Sequence, residues 1–238
     1  MSMDRLIRVL KQLSIENPIS QFEWNIPENC PILIPAHIID PYSKNVFLKE
    51  NLSDVVRADT SLASHYWSIQ DWGGIGSFKK NEKNDNRIIK FLAELERTIL
   101  TKSTFECISS LSKVASFAHP DRFAIYDSRA IYALNWLIFN HSEMPELFPQ
   151  PTGRSSELAK YDIQTIFRLS KRIVNYKSYK NAYHDYCNLL GQLTKSIFGE
   201  RGKPYMIEML LFMIAPTNIV KQIESCVSLK IEMASSLN

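Results

Sequence analysis

Lys113 and Asp127 are the pair of side chains whose types and spacing could do covalent chemistry. Ser110-Leu111-Ser112-Lys113-Val114-Ala115-Ser116-Phe117 reads as a lysine opening an apolar helical segment, which His119-Pro120 then stops. Phe123-Ala124-Ile125-Tyr126 is a short, strand-like approach that carries Asp127 to the start of another helix. One amine and one carboxylate can therefore converge where three elements meet. A carboxylate at a helix N-terminus is held ionised by backbone donors and the helix dipole. It can stabilise an oxocarbenium-like sugar or activate a water, while a desolvated lysine can attack a sugar C1′ and form a Schiff base. On spacing alone the plainer assignment is the more frequent one: Asp127 as a helix cap and Lys113 as a solvated residue.

Other stretches carry weaker signals. Tyr66-Trp67-Ser68-Ile69-Gln70-Asp71-Trp72 places two indoles and an amide close together, and Gly73-Gly74-Ile75-Gly76 with Lys79 and Lys80 follows it. Aromatics at such spacing are more often core, and a Gly-x-x-Gly run without a predicted sheet is more often a turn than a backbone clamp on nucleic acid. Arg129, two residues after Asp127, and Arg154, in a proline-rich loop, could hold phosphates, with solvation as the default for both. Gly199-Glu200-Arg201-Gly202-Lys203-Pro204 is too short for a phosphate-binding loop and lacks the Ser or Thr. No Gly-x-Ser-x-Gly elbow and no zinc-deaminase pattern occurs.

The elements that must position these residues read as helices. Leu6, Ile7, Leu10 and Leu13 mark one helical face, so Met1 to Leu13 is expected as a helix and not a signal peptide. Prolines 18, 27, 31, 35 and 41 argue against any long helix over residues 15–50. Helices are predicted over Leu52–Ile69, Asp85–Lys102, Thr104–Ser110, Lys113–Ala118, Ser128–Phe139, Leu158–Tyr176, Tyr179–Phe198 and Pro204–Ile214, with a serine-rich break before Lys113 and a loop over residues 140–157. The expectation is an all-α protein, a single domain over 1–238, with two helical lobes flanking a cleft. One lobe is 1–84 plus the C-terminal helices, and the other is the 85–157 region.

Composition sets outer bounds. The chain has 238 residues, 45% of them hydrophobic, which is enough for a substantial core. A net charge of +3 is compatible with a nucleic-acid partner without requiring one. Cys30, Cys107, Cys187 and Cys226 are far apart and form no Cys-x-x-Cys pair, so reduced thiols in a cytoplasmic protein are expected and a zinc site is not. The longest apolar run, Met209 to Pro216, is short for a bilayer span, so no membrane partner is expected.

Ser112-Lys113-Val114-Ala115 followed by Ile125-Tyr126-Asp127-Ser128-Arg129 resembles the core of the helix-hairpin-helix DNA glycosylases, specifically their 8-oxoguanine glycosylase-like branch. The resemblance implies that Lys113 is the catalytic lysine after the hairpin and Asp127 the catalytic aspartate. The family hairpin is usually glycine-rich; here Ser109-Ser110-Leu111-Ser112 stands in its place, so Ser110 and Ser112 would contact a DNA phosphate together with Arg129, Arg154 and Lys79. Trp67, Gln70 and Trp72 would stack on and read a flipped base. The implied partner is double-stranded DNA bearing a modified base, bound by a monomer with no cofactor or catalytic metal. The chain also resembles small bacterial glycosylases that defend against phage, including one that removes glucosylated hydroxymethylcytosine. The serine hairpin and aromatic segment favour such a specialised pocket over oxidised-purine repair. A non-catalytic helical DNA-binding module is the alternative of another class.

Overall fold

The computed structural model describes residues 3–142, 145–153 and 155–228. The chain is 63% helix and 2% strand, which places it in the all-α class. The helices are α1 (Met3–Glu16), α2 (Pro41–Asn51), α3 (Ser53–Ala58), α4 (Ala63–Gln70), α5 (Glu82–Glu96), α6 (Lys102–Phe105), α7 (Ile108–Ala118), α8 (Ser128–His141), α9 (Ser156–Ala159), α10 (Ile163–Leu169), α11 (Tyr179–Phe198), α12 (Pro204–Ile214) and α13 (Val220–Cys226). Two short strands, β1 (Glu146–Leu147) and β2 (Asn175–Tyr176), pair in parallel, with Glu146 opposite Asn175.

Helix α7 is the buried axis. Nine of its eleven residues are buried, including the polar Ser112, Lys113 and Ser116. A helix enclosed on nearly every side must find partners for each polar group it carries. Ser112 Oγ accepts from the Tyr126 amide at 3.0 Å, and Ser116 Oγ accepts from Lys49 Nζ. Helices α2, α3, α4 and α5 pack around α7, whereas α8 packs on α12 and α1, and α12 also packs on α11. These form two groups of helices, and the link from α7 to α8 joins them.

That link is extended and is held from outside. The Tyr183 hydroxyl of α11 donates to the Ala124 carbonyl at 3.0 Å, and the Tyr186 hydroxyl donates to Ile125 at 2.9 Å. Tyr126 itself donates to the Pro149 carbonyl at 2.9 Å. Buried backbone groups with no sheet partner are thereby satisfied by side chains, which fixes the direction of the chain as it enters α8. Asn135 anchors the loop after α8, donating to the Phe148 carbonyl at 2.8 Å and accepting from its amide at 2.9 Å.

Several boundaries differ from the sequence expectation. Helix α2 forms within the proline-rich region because Pro41 sits at its first turn, where no amide is needed, and Asp40 caps it by accepting from the Ser43 amide at 2.8 Å. The expected Leu52–Ile69 helix is split, because Asp59 gathers Ser61 and Ser64 and Leu62 turns left-handed with φ 62°. The Asp85–Lys102 helix stops at Glu96, with Thr98 at φ 57° just beyond it. Leu158–Tyr176 becomes α9, α10 and β2, since Asp162 accepts from the Gln164 amide and starts a new helix.

The serine-rich break expected before Lys113 is also absent. Ser109 to Ser112 lie inside α7, and the turn after α6 falls at Glu106–Cys107. Lys113 is therefore mid-helix and does not open one. The buried series Ile108, Leu111, Val114, Ala115 and Ala118 carries the helix through the serines. The continuous helical run Pro204–Cys226 is long and apolar enough to cross a membrane by length and composition, and 56% of its most apolar window is buried inside the fold.

Candidate active site

A small, partly open cavity of about 50 Å³ lies where the two groups of helices meet. Its lining includes Lys113 from α7, Asp127 at the cap of α8, and Glu208 and Phe212 from α12. Trp72 and Gly73, just past α4, form one wall, and Phe22 and Trp24 cover it from the irregular segment between α1 and α2.

Lys113 is only 5% exposed, so the solvated-residue assignment does not hold. Its Nζ donates to the Ser109 carbonyl one turn back at 2.7 Å. Gly73 makes room for its stem. A Cβ built on Gly73 would lie 2.4 Å from Lys113 Cδ and 2.6 Å from the Ile69 carbonyl oxygen. The second of these is backbone and cannot swing away. Gly73→Ala is expected to cost about 1–3 kcal/mol through overpacking, read as a lowered urea midpoint, and a wild-type midpoint would show that this contact yields freely.

Asp127 caps α8, its Oδ1 accepting from the Arg129 amide at 2.7 Å, while the same residue faces the cavity. Cap and cavity roles therefore coincide in one carboxylate. Glu208 is 4% exposed. Burial is the largest influence on its carboxyl and pushes its pKa up; Asp127 adds to this, and Lys49 and Lys113 oppose it. Lys49, at the end of α2, is 1% exposed; its ammonium lies 4.3 Å from the Phe117 ring centroid and 5.2 Å from that of Trp72. Burial lowers its pKa, and the nearby Glu208 counteracts that. Two buried amines and two carboxylates are thus electrostatically linked where α2, α7, α8 and α12 come together.

The other sequence-predicted residues are dispersed. Trp72 lines the cavity, stacks edge-on against Phe117 at 4.9 Å between centroids, and donates to Asn45 Oδ1 at 3.0 Å. Trp67 lies outside the lining, donating to Asn29 Oδ1 at 3.1 Å. Gln70 is also outside it, its amide donating to the Phe78 carbonyl. Ser112 is fully buried and committed to the Tyr126 amide, so it is closed to a DNA phosphate. Ser110 is half-buried on α7, and Lys79 is exposed and away from the lining. The Arg129 guanidinium lies 4.6 Å from the centroid of Phe212, a ring of the cavity wall. Arg154 lies outside the described residues.

Sequence reasoning missed Lys49, Glu208, Trp24 and Phe212. One signal was present: Glu208 is the only charge between Lys203 and Lys221. An isolated carboxylate in so apolar a run is costly to bury unless it faces compensating charge. Trp24 is pinned in place, donating to the Trp72 carbonyl at 2.8 Å, while its own carbonyl accepts from Asn45 at 2.8 Å. On its other side an open groove of about 490 Å³ is lined by Glu23, Asn25, Pro27, Asp71 and Gly74.

Comparison of the chain with protein-family models, with curated proteins and with solved structures gives no match.

Proposed function

We propose that the chain is a DNA glycosylase of the helix-hairpin-helix type that extrudes a modified nucleotide and breaks its N-glycosidic bond. The observation that carries this reading is the convergence of Lys113 and Asp127 on one aromatic-walled cavity. Asp127 would stabilise the developing sugar cation, and Lys113 would attack C1′. The product is an abasic site, with strand cleavage where the Schiff base forms.

The cavity is too small for a nucleobase, since small-molecule sites span roughly 300–1,000 Å³. Trp24 and Trp72 both line this cavity and the neighbouring groove. Withdrawal of the Trp24 ring joins the two spaces and gives a flipped base somewhere to stack, so Trp24 and Trp72 take the stacking role first considered for Trp67. The small volume is also what favours the second reading, a non-catalytic helical DNA-binding module.

The favoured substrate is phage DNA carrying glucosylated hydroxymethylcytosine, which makes the protein an antiviral defence enzyme; oxidised purine in a repair context is the alternative. The test is incubation with glucosylated phage DNA and, separately, with an 8-oxoguanine duplex, scoring alkali-labile breaks. Breaks in the first are expected. Breaks only in the second move the assignment to repair, and breaks in neither favour the binding module.

A further inference from the structure

Glu208 shares the cavity with Lys113 and Asp127, although neither spacing nor resemblance pointed to it. The groups facing it come from four elements: Lys49 from α2, Lys113 from α7, Asp127 at the head of α8, and Tyr183, Tyr186 and Cys187 from α11. Of the two carboxylates in the lining, Asp127 already accepts the capping bond from the Arg129 amide. The remaining lining is aromatic or aliphatic apart from Lys113 and Gly73. Lys113 shares this volume with both carboxylates, and Glu208 is the one that carries no helix cap.

Resting on the base-excision reading, we infer that Glu208 is the acid–base residue of the site, taking the proton of Lys113 and delivering it to the departing base. The proton moves from Lys113 Nζ to the Glu208 carboxylate, leaving a neutral amine and a neutral acid. The amine lone pair forms a bond to C1′ as the bond from C1′ to the base nitrogen breaks. The electron pair of that bond leaves with the base, which takes the proton from Glu208 and restores the carboxylate. Asp127, at the head of α8, opposes the positive charge on the sugar. Burial beside Asp127 raises the affinity of Glu208 for this proton, so the acid form persists closer to neutrality than in a solvated glutamate.

The experiment is a single-turnover pH profile of base release from glucosylated phage DNA, with the 8-oxoguanine duplex in parallel. Wild type is expected to slow on the alkaline side as the proton shared by Lys113 and Glu208 is lost. Glu208→Gln is expected to be slower by about a hundredfold or more and to lack that alkaline limb. Because the glutamine variant leaves Lys49 without a counter-charge, Lys49→Met combined with Glu208→Gln provides a second form with both buried charges removed, and the same loss is expected in it. An infrared difference spectrum between wild type and Glu208→Gln, recorded on their complexes with the glucosylated DNA, should contain a protonated-carboxyl band that fades as pH rises; its absence overturns the assignment. A wild type that cleaves while both variants match it in rate and profile overturns the role of Glu208 alone. A wild type that cleaves neither DNA overturns the base-excision reading and this role with it.

Discussion

Asp127→Asn is expected to lower base release by about 10²- to 10⁴-fold while leaving the protein as stable as wild type. The substitution separates two roles that coincide in one carboxylate. Asparagine caps a helix about as well as aspartate, so the bond from the Arg129 amide, 2.7 Å in length, survives. What disappears is the negative charge that Asp127 presents to the cavity beside Lys113. If Asp127 were a cap and nothing more, the variant would release base at the wild-type rate. Single-turnover release, read beside a urea unfolding curve, decides between the two. Undiminished release at unchanged stability removes Asp127 from the chemistry.

The second large effect concerns stability. Lys49→Ala is expected to destabilise the fold by about 3–5 kcal/mol, the usual consequence of removing one partner from a set of buried charges. Lys49 is enclosed, with its ammonium on Ser116 Oγ and over the Phe117 ring, and its charge opposes the desolvation of Glu208. Without Lys49 the Glu208 carboxyl must hold its proton more firmly still. A carboxyl whose pKa is higher folded than unfolded favours the folded state at acid pH, and that contribution is lost as pH rises through the folded value. The deficit of Lys49→Ala should therefore be smallest at acid pH and grow toward neutrality and above. Lys49→Met combined with Glu208→Gln should recover much of the loss, because matched removal of buried charges is often close to neutral. A deficit below about 1 kcal/mol, or one that shrinks as pH rises, would show that these charges do not depend on one another.

How legible the molecule was in its sequence follows from where each signal lay. Helices α11 and α12 have the bounds expected of them, because their starts are written locally in Ser178, whose side chain accepts from the Lys180 amide, and in Pro204 at the first turn. Helix α2 was hidden because five prolines read as breakers, whereas Pro41 initiates a helix behind the cap of Asp40. The serines of α7 read as a hairpin turn when taken alone. In the fold Ser112 accepts from the Tyr126 amide and Ser109 donates to the Tyr126 carbonyl, a partner that arrives from another element.

The same contrast holds at the site. Lys113 and Asp127 are close in sequence and sit on one recognisable pattern, so their convergence was readable. Glu208 and Lys49 are far from that pattern and from each other, and only the packing of α2, α7, α8 and α12 brings their charges together. Trp67 and Trp72 are equivalent to the eye in a sequence. The turn after α4 sends Trp72 to the cavity and leaves Trp67 bonded to Asn29.

The most direct measurement is mass-spectrometric detection of the free base released by the wild-type protein from phage DNA containing glucosylated hydroxymethylcytosine. The cavity chemistry predicts release of the intact glucosylated base, with an abasic site left in the strand. A folded protein that binds this DNA and the 8-oxoguanine duplex yet frees no base from either would contradict it.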